Sequence, residues 1–473
     1  MNTVKKIAKN TIFLFVAEII SKICLFLLVM FIARKLGDVE LGKYSFAISF
    51  GFLFTILANF GLDELIIRNV AREKEKVSKY INNISVIKFF LSLIAFFFLV
   101  LIINLLKYPS DIKILVYIFG LSLILDTFAS AFRSIFYAFE QMEYEAFLRF
   151  MENALVLILS LIFIFKGYGI FQVSLVFLSV SLINILLSIL IVYKKFTKIR
   201  FEFNINFWKF LFKNSWPFAL VWVFWSIYLK ITIIMLSFFK GDSVVGWYSA
   251  SSQILEGLGF IPIVFVSAIF PVMSRLFITD KTGLRITIEK SFKYLLILAL
   301  PISVGIFLLS ERFILLFFGN EFYNSIIILK ILAVALLFMF ILRPFSRTLI
   351  VINKQKLNAS IVFSIMILNI ILNLILIPIF SYVGAAITIL ICEMVFFFST
   401  YYYAAKHEYR VPLKITIKPI LAAFIMGLFV FFFYNMNLFI IIIISAIIYF
   451  LTSYLLKTFD REDIRIFKNI IIK

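Results

Sequence analysis

The chain has 473 residues, of which 64% are hydrophobic, and a mean hydropathy of +1.11. A soluble protein of this length would divide into several domains; this one reads as apolar runs of about 20 residues, the length that crosses a bilayer. The net charge of +21 collects in segments on one side of those runs, so it marks membrane topology and argues against nucleic acid as a partner.

About fourteen runs are expected, centred on 16–33, 46–59, 89–105, 114–132, 154–165, 173–192, 218–239, 255–269, 295–309, 326–342, 361–377, 385–402, 420–433 and 438–455. The first is too long for a signal peptide, and Arg34-Lys35 follows it in place of a small-residue cleavage site. Segments on the N-terminal side of the membrane carry about 34 of the 46 Lys and Arg residues, and the opposite loops about 8. This asymmetry places both termini in the cytoplasm of a multi-pass protein of the cell membrane. The longer cytoplasmic segments, 133–149, 194–213 and 275–291, are expected to form short amphipathic interfacial helices.

A repeat organises these runs. Gly37-Asp38-Val39-Glu40-Leu41-Gly42-Lys43-Tyr44-Ser45 returns as Gly241-Asp242-Ser243-Val244-Val245-Gly246-Trp247-Tyr248-Ser249, with Gly, Asp, Gly, Tyr and Ser in the same places. The same shift lays Lys9-Asn10 on Lys213-Asn214, and each copy follows the first long apolar run of its half. The expected fold is therefore an all-α integral membrane protein with two six-helix lobes, 1–200 and 201–410, related as a parallel pseudo-twofold repeat. An extra helix pair and a tail occupy 411–473. Prolines concentrate in the second lobe (Pro217, Pro262, Pro271, Pro301, Pro344 and Pro378), where they permit bends.

An ionisable side chain at membrane depth costs at least about 2.5 kcal/mol, so it is a functional candidate. The candidates are Glu18, Lys22, Lys88, Asp126, Glu152, Lys230, Glu256, Lys330 and Glu393. Lys88 and Lys330 are expected near span ends, reaching for the interface. Under the repeat shift Lys230 matches Phe26, one helical turn beyond Lys22. The two lysines therefore share a face of equivalent helices, an arrangement suited to an anion such as a phosphate. Glu18, four residues before Lys22, is the competing partner for that lysine. Glu18, Asp126 and Glu256 are the candidates for coupling or charge balance. Cys24 and Cys392 lie within spans and His407 is the only histidine, so neither a disulfide framework nor a His-based metal site is expected. No nucleotide motif or catalytic constellation stands out; the expected protein is not an enzyme and needs no cofactor or metal.

Lys9-Asn10-Thr11, Ser21-Lys22, Ala33-Arg34-Lys35-Leu36-Gly37, Gly42-Lys43-Tyr44-Ser45 and Phe60-Gly61-Leu62-Asp63 with Arg68 resemble the polysaccharide-export flippases of the multidrug/oligosaccharidyl-lipid/polysaccharide superfamily. Asn214, Pro217 and Met235-Leu236 resemble the start of that family's second lobe. The resemblance implies two six-helix lobes facing each other in a V. It also implies movement of a polyprenyl-(pyro)phosphate-linked oligosaccharide to the outer leaflet, for surface polysaccharide or glycoprotein glycan assembly. Membrane lipids, glycosyltransferases or a polysaccharide polymerase are the partners it admits, with a monomer as the transporting unit. In the related peptidoglycan-precursor flippases a basic residue after Ser in the first helix faces the cavity, and Ser21-Lys22 matches that pattern. One departure is Lys230-Ile231-Thr232, where family members often carry an Asp after the basic residue; its loss argues against a coupling role for that helix. A cation-coupled small-molecule antiporter on the same fold is the alternative, with Glu18, Asp126 or Glu256 in place of the lysines.

Overall fold

A computed structural model describes residues 3–198, 202–412, 414–459 and 463. In lipid every backbone N–H and C=O needs an internal partner, so apolar runs of this length close into helices. Twelve helices among the described residues are long and apolar enough to cross a membrane. Their outward residues are large and apolar, such as Phe97, Phe424 and Ile443, as a lipid-facing surface requires. The chain divides into two compact units, Met1–Ala250 and Ser251–Lys473.

The first unit holds α1 (Thr3–Asn59), α2 (Leu62–Arg72), α3 (Val77–Leu105), α4 (Ser110–Ala138), α5 (Met142–Phe165), α6 (Ile170–Lys195), α7 (Ile205–Lys240) and the start of α8 (Asp242–Thr279). Helix α1 packs on α4, α5 and α7, and α4 on α6. At 57 residues α1 is too long for one span, and it breaks at Gly37 (φ 88°, ψ −178°). The junction of α7 and α8 breaks in the same way at Gly241 (φ 86°, ψ −177°). That backbone region is open essentially to glycine alone, which is the physical reason the repeated motif begins with Gly.

The rest of the motif is explained by the crossing of its two copies. A Cβ on Gly42 would lie 1.9 Å from the carbonyl oxygen of Asp242, and one on Gly246 would lie 2.1 Å from that of Asp38. Each copy therefore presents a glycine to the Asp backbone of the other. Tyr44 and Tyr248, the matched aromatics, are both buried.

Two features differ from expectation. Lys88 does not reach the interface. It is fully buried, with its Nζ 2.6 Å from Asp63 Oδ1 and donating also to the Thr127 carbonyl (2.8 Å) and Ser130 Oγ (3.1 Å). A buried ammonium is tolerated only when paired and hydrogen-bonded, and α2, whose first turn carries Asp63, supplies the counter-charge. The expected interfacial helices are not separate elements. Phe207, Trp208, Phe210 and Phe212 belong to the first turns of α7, and 275–291 is shared between α8 and α9. Trp208 donates from Nε1 to Asn83 Oδ1 (3.1 Å) and packs on the α2–α4 core, so tertiary packing draws this stretch into the bundle.

In the second unit α9 (Lys281–Phe317) packs on α10 (Ser325–Ile341), which packs on α12 (Gln355–Lys406); α11 (Arg343–Val351) precedes α12. Pro344 opens α11, while Pro262, Pro271, Pro301 and Pro378 lie inside longer helices. Helix α12 breaks at Ser381 (φ 54°, ψ −134°). The pair α13 (Lys414–Phe432) and α14 (Leu438–Leu455) docks on α9. There Arg312 Nη1 donates to the carbonyls of Tyr434 and Met436, each at 2.6 Å.

Candidate functional site

Charged side chains gather inside the first unit, at the end of the helices where α4 turns into α5. Asp126 and Arg133 lie two helical turns apart on α4, and Arg133 Nη1 donates to Asp126 Oδ1 (2.8 Å). Glu145, Arg149 and Glu152 follow at i, i+4 and i+7 on α5, a spacing that puts all three on one helix face. Arg149 holds Glu145 (3.0 Å) within α5 and reaches across to Glu18 Oε2 on α1 (2.7 Å). Arg133 lies 3.5 Å from Glu145 and 3.7 Å from Glu152. Asn184 of α6 donates to Glu152. One connected network thus ties α1, α4, α5 and α6 together.

Lys22 stands at the rim of this network. Its Nζ is 3.9 Å from Glu18 Oε1, outside hydrogen-bond reach, and its side chain is 32% exposed. The tight partner of Glu18 is Arg149, not Lys22. Ser21, the preceding residue, is buried and accepts from Asn153 Nδ2 on α5 (3.2 Å), which fixes the rotation of α1 at this level.

Lys230 sits elsewhere in the same unit, half-buried on α7, with its Nζ 5.9 Å from the centroid of the Phe52 ring on the second half of α1. A cation over a ring face is attracted by the ring quadrupole. Lys22 lies fifteen residues before Gly37 and Lys230 eleven before Gly241. At 1.5 Å per residue these are roughly 22 and 16 Å from equivalent breaks, so the lysines differ in depth by about one turn.

Of the expected acidic candidates, Glu18 and Asp126 are brought into the network by Arg149 and Arg133. Glu256 is exposed on the part of α8 that belongs to the second unit. Among the described residues no three His, Cys, Asp or Glu are grouped to hold a metal ion. Sequence reasoning missed Arg133, Glu145 and Arg149, because they fall where the apolar runs pause. Their helical spacing was the available signal.

A second contact ties the first unit together at Gly61, whose φ is +71°. A Cβ there would lie 2.7 Å from the Ser215 carbonyl oxygen of α7. Next to it Trp222 Nε1 of α7 donates to Glu64 Oε1 of α2 (2.6 Å), and Arg68 lies 5.6 Å from the Phe218 ring centroid. Glu64 Oε2 is buried and has no hydrogen-bond partner among the described residues. Burial, followed by the neighbouring Asp63 charge, pushes the Glu64 carboxyl above its ordinary value.

A family model described as polysaccharide biosynthesis protein matches residues 7–277, more than half of the chain. The chain belongs to the polysaccharide biosynthesis protein family. A second model, MatE, matches residues 217–375. The chain is 26% identical over 405 residues to the capsular polysaccharide biosynthesis protein CapF of Staphylococcus aureus, covering 84% of this chain and 98% of CapF. It is also 26% identical over 407 residues to an uncharacterized membrane protein of Methanocaldococcus jannaschii (82% of this chain, 95% of that protein). The fold is shared with the lipid II flippase MurJ in an inward closed conformation, at a TM-score of 0.78 and 21% identity over 97% of this chain and 99% of MurJ. It is shared also with an inward-facing multidrug resistance MATE transporter, at a TM-score of 0.68 and 15% identity over 82% and 94% of the two chains.

Proposed function

We propose that this protein is a membrane transporter that carries a polyprenyl-(pyro)phosphate-linked oligosaccharide from the cytoplasmic to the outer leaflet by alternating access. Lys22 and Lys230 are the cations that receive the lipid phosphate. The observation that carries the reading is the division of partners around Glu18. Arg149 takes this carboxylate at 2.7 Å, while Lys22 stays 3.9 Å away and one-third exposed. A lysine with so loose a counter-ion keeps its charge for a ligand, and a phosphate dianion in low dielectric needs such a partner. Membership of the polysaccharide biosynthesis family and the 26% identity to a capsular polysaccharide biosynthesis protein support a glycan cargo.

Counting the helices broken at Gly37 and Ser381 as two spans each turns the twelve candidate helices into fourteen. An even number keeps both termini on one side, and the Lys and Arg asymmetry makes that side the cytoplasm. The reciprocal crossing of the two Gly-Asp motifs supports a parallel repeat of six-span lobes, with α13 and α14 added. Glycosyltransferases or a polymerase acting on the same glycan are the partners this role calls for.

The experiment is leaflet translocation of a fluorescent polyprenyl-pyrophosphate oligosaccharide by the full chain in liposomes. Lys22→Glu is expected to abolish translocation while the thermal unfolding profile stays that of the wild type. Normal translocation by that variant removes the anion site.

One observation favours a second reading. The network holds four carboxylates (Glu18, Asp126, Glu145 and Glu152) against three cations (Lys22, Arg133 and Arg149). A cation-coupled antiporter would use the surplus negative charge. An imposed proton or sodium gradient that drives efflux of a small cation, with no glycan movement, would favour it.

A further inference from the structure

The second unit contains a basic cavity away from the charged network. Its volume is about 350 Å³, and it lies where α9 and α13 begin and α14 ends. Lys290 and Lys293 of α9, Lys414 and Lys418 of α13, and Lys457 just past α14 line it, with Glu289 as the acidic lining residue. Lys293 is buried and held by Asp463 Oδ2 at 2.6 Å, and Tyr294 donates to the other oxygen of that carboxylate at 2.5 Å. Lys418 donates to the Lys457 carbonyl (3.0 Å), which fixes the α14 end against α13. The described lining therefore carries five ammonium groups and the Glu289 carboxylate, with Asp463 behind it as the partner of Lys293.

Two further observations point to a ligand with acceptor oxygens. Thr458 lines the cavity and is only 4% exposed, yet its hydroxyl has no hydrogen-bond partner among the described residues. A buried hydroxyl without a partner costs about 1–3 kcal/mol, so it marks a position that a ligand oxygen would complete. The first turn of α13, a 19-residue helix, also borders the cavity through Lys414 and Ile415. The positive end of its dipole favours an anion. Around this opening Ile286 and Ile417 are exposed apolar residues, suited to acyl chains beside a charged headgroup.

We infer that this cavity binds the phosphate headgroup of an anionic membrane lipid. The lysines supply the charge, the Thr458 hydroxyl donates to a phosphate oxygen, and the chains lie along the outer faces of α9 and α13. Basic pockets between membrane helices bind phosphate headgroups by this logic. The site stands independently of the cargo proposed above, since none of its residues belongs to the network around Lys22.

The test is native mass spectrometry of the purified full chain, titrated separately with phosphatidylglycerol, phosphatidylcholine, undecaprenyl phosphate and inorganic phosphate. The wild type is expected to retain one phosphatidylglycerol or undecaprenyl phosphate in preference to phosphatidylcholine. The lipid retained at the lower concentration identifies the occupant. Lys290→Gln/Lys414→Gln/Lys418→Gln is expected to weaken this binding about a hundredfold, since each lysine near an anionic lipid contributes a roughly equal share. The matching triple Arg variant is expected to keep it, which separates lost charge from lost fold. Thr458→Val is expected to weaken it several-fold. Equal retention of anionic and zwitterionic lipid, equal binding by wild type and the Gln variant, or binding of inorganic phosphate without either lipid would each overturn the site.

Discussion

Gly42 and Gly246 perform the same task in exchanged positions: each is the point where one copy of the repeated motif touches the Asp backbone of the other. Because a Cβ would fall 1.9 Å and 2.1 Å from those carbonyl oxygens, neither site accepts even alanine without the helices moving apart. Overpacking of this kind costs about 1–3 kcal/mol. Gly42→Ala is therefore expected to lower the population of the observed crossing by roughly ten- to a hundredfold. Spin labels at Val39 and Ser243, on Cys24→Ser/Cys392→Ser, would report a longer and broader distance in the alanine variant. An unchanged distribution would show that the contact does not hold the two motifs together.

Lys88 and Asp63 form a buried pair, and removing one partner of such a pair costs about 3–5 kcal/mol. Lys88→Met and Asp63→Leu are each expected to lower the unfolding temperature sharply. The double variant is expected to lose less than either single one, because it leaves no uncompensated charge. Strict additivity in thermal unfolding would contradict the pairing.

The Glu64 carboxyl is held above its ordinary value of 4.5 by burial and by Asp63. A carboxyl whose folded value is raised disfavours ionisation in the folded state. Its contribution to stability is full below 4.5 and is lost as pH rises through the raised value. Wild-type stability relative to Glu64→Gln is thus expected to fall with rising pH above 4.5. A parallel pH dependence of the two unfolding midpoints would show that Glu64 ionises freely.

Arg149 keeps Glu18 away from Lys22. Arg149→Gln is expected to let Glu18 pair with Lys22 and to reduce translocation by about tenfold, the scale of one added ion pair. Adding Glu18→Gln is expected to restore most of it, while Glu18→Gln alone stays close to wild type. If Glu18→Gln alone is as defective as Arg149→Gln, the carboxylate itself acts in transport.

Much of the fold was legible because lipid enforces it. Apolar run length gave the helices, and the repeated Gly-Asp-Gly-Tyr motif marked the two breaks that need glycine. What the motif does across the crossing was not legible, because Gly42 and Asp242 are two hundred residues apart in the chain. Hydropathy hid Arg133 and Arg149. They interrupt apolar runs and so read as loop, whereas α4 and α5 continue through them because neighbouring carboxylates compensate their charge. Lys88 was misplaced for the same reason, since its counter-ion Asp63 lies on a different element. Lys22 was legible as a candidate from its depth. The looseness of its ion pair with Glu18 depends on Arg149 arriving from α5, which only tertiary structure reveals.

The measurement that bears most directly on the function is leaflet translocation of a polyprenyl-pyrophosphate oligosaccharide in liposomes, comparing wild type with Lys22→Ala/Lys230→Ala. The wild type is expected to translocate the glycolipid and the double variant to lose that activity, with both proteins equally folded. Translocation that survives removal of both lysines, or a folded wild type that moves none of several glycans, would contradict the proposed function.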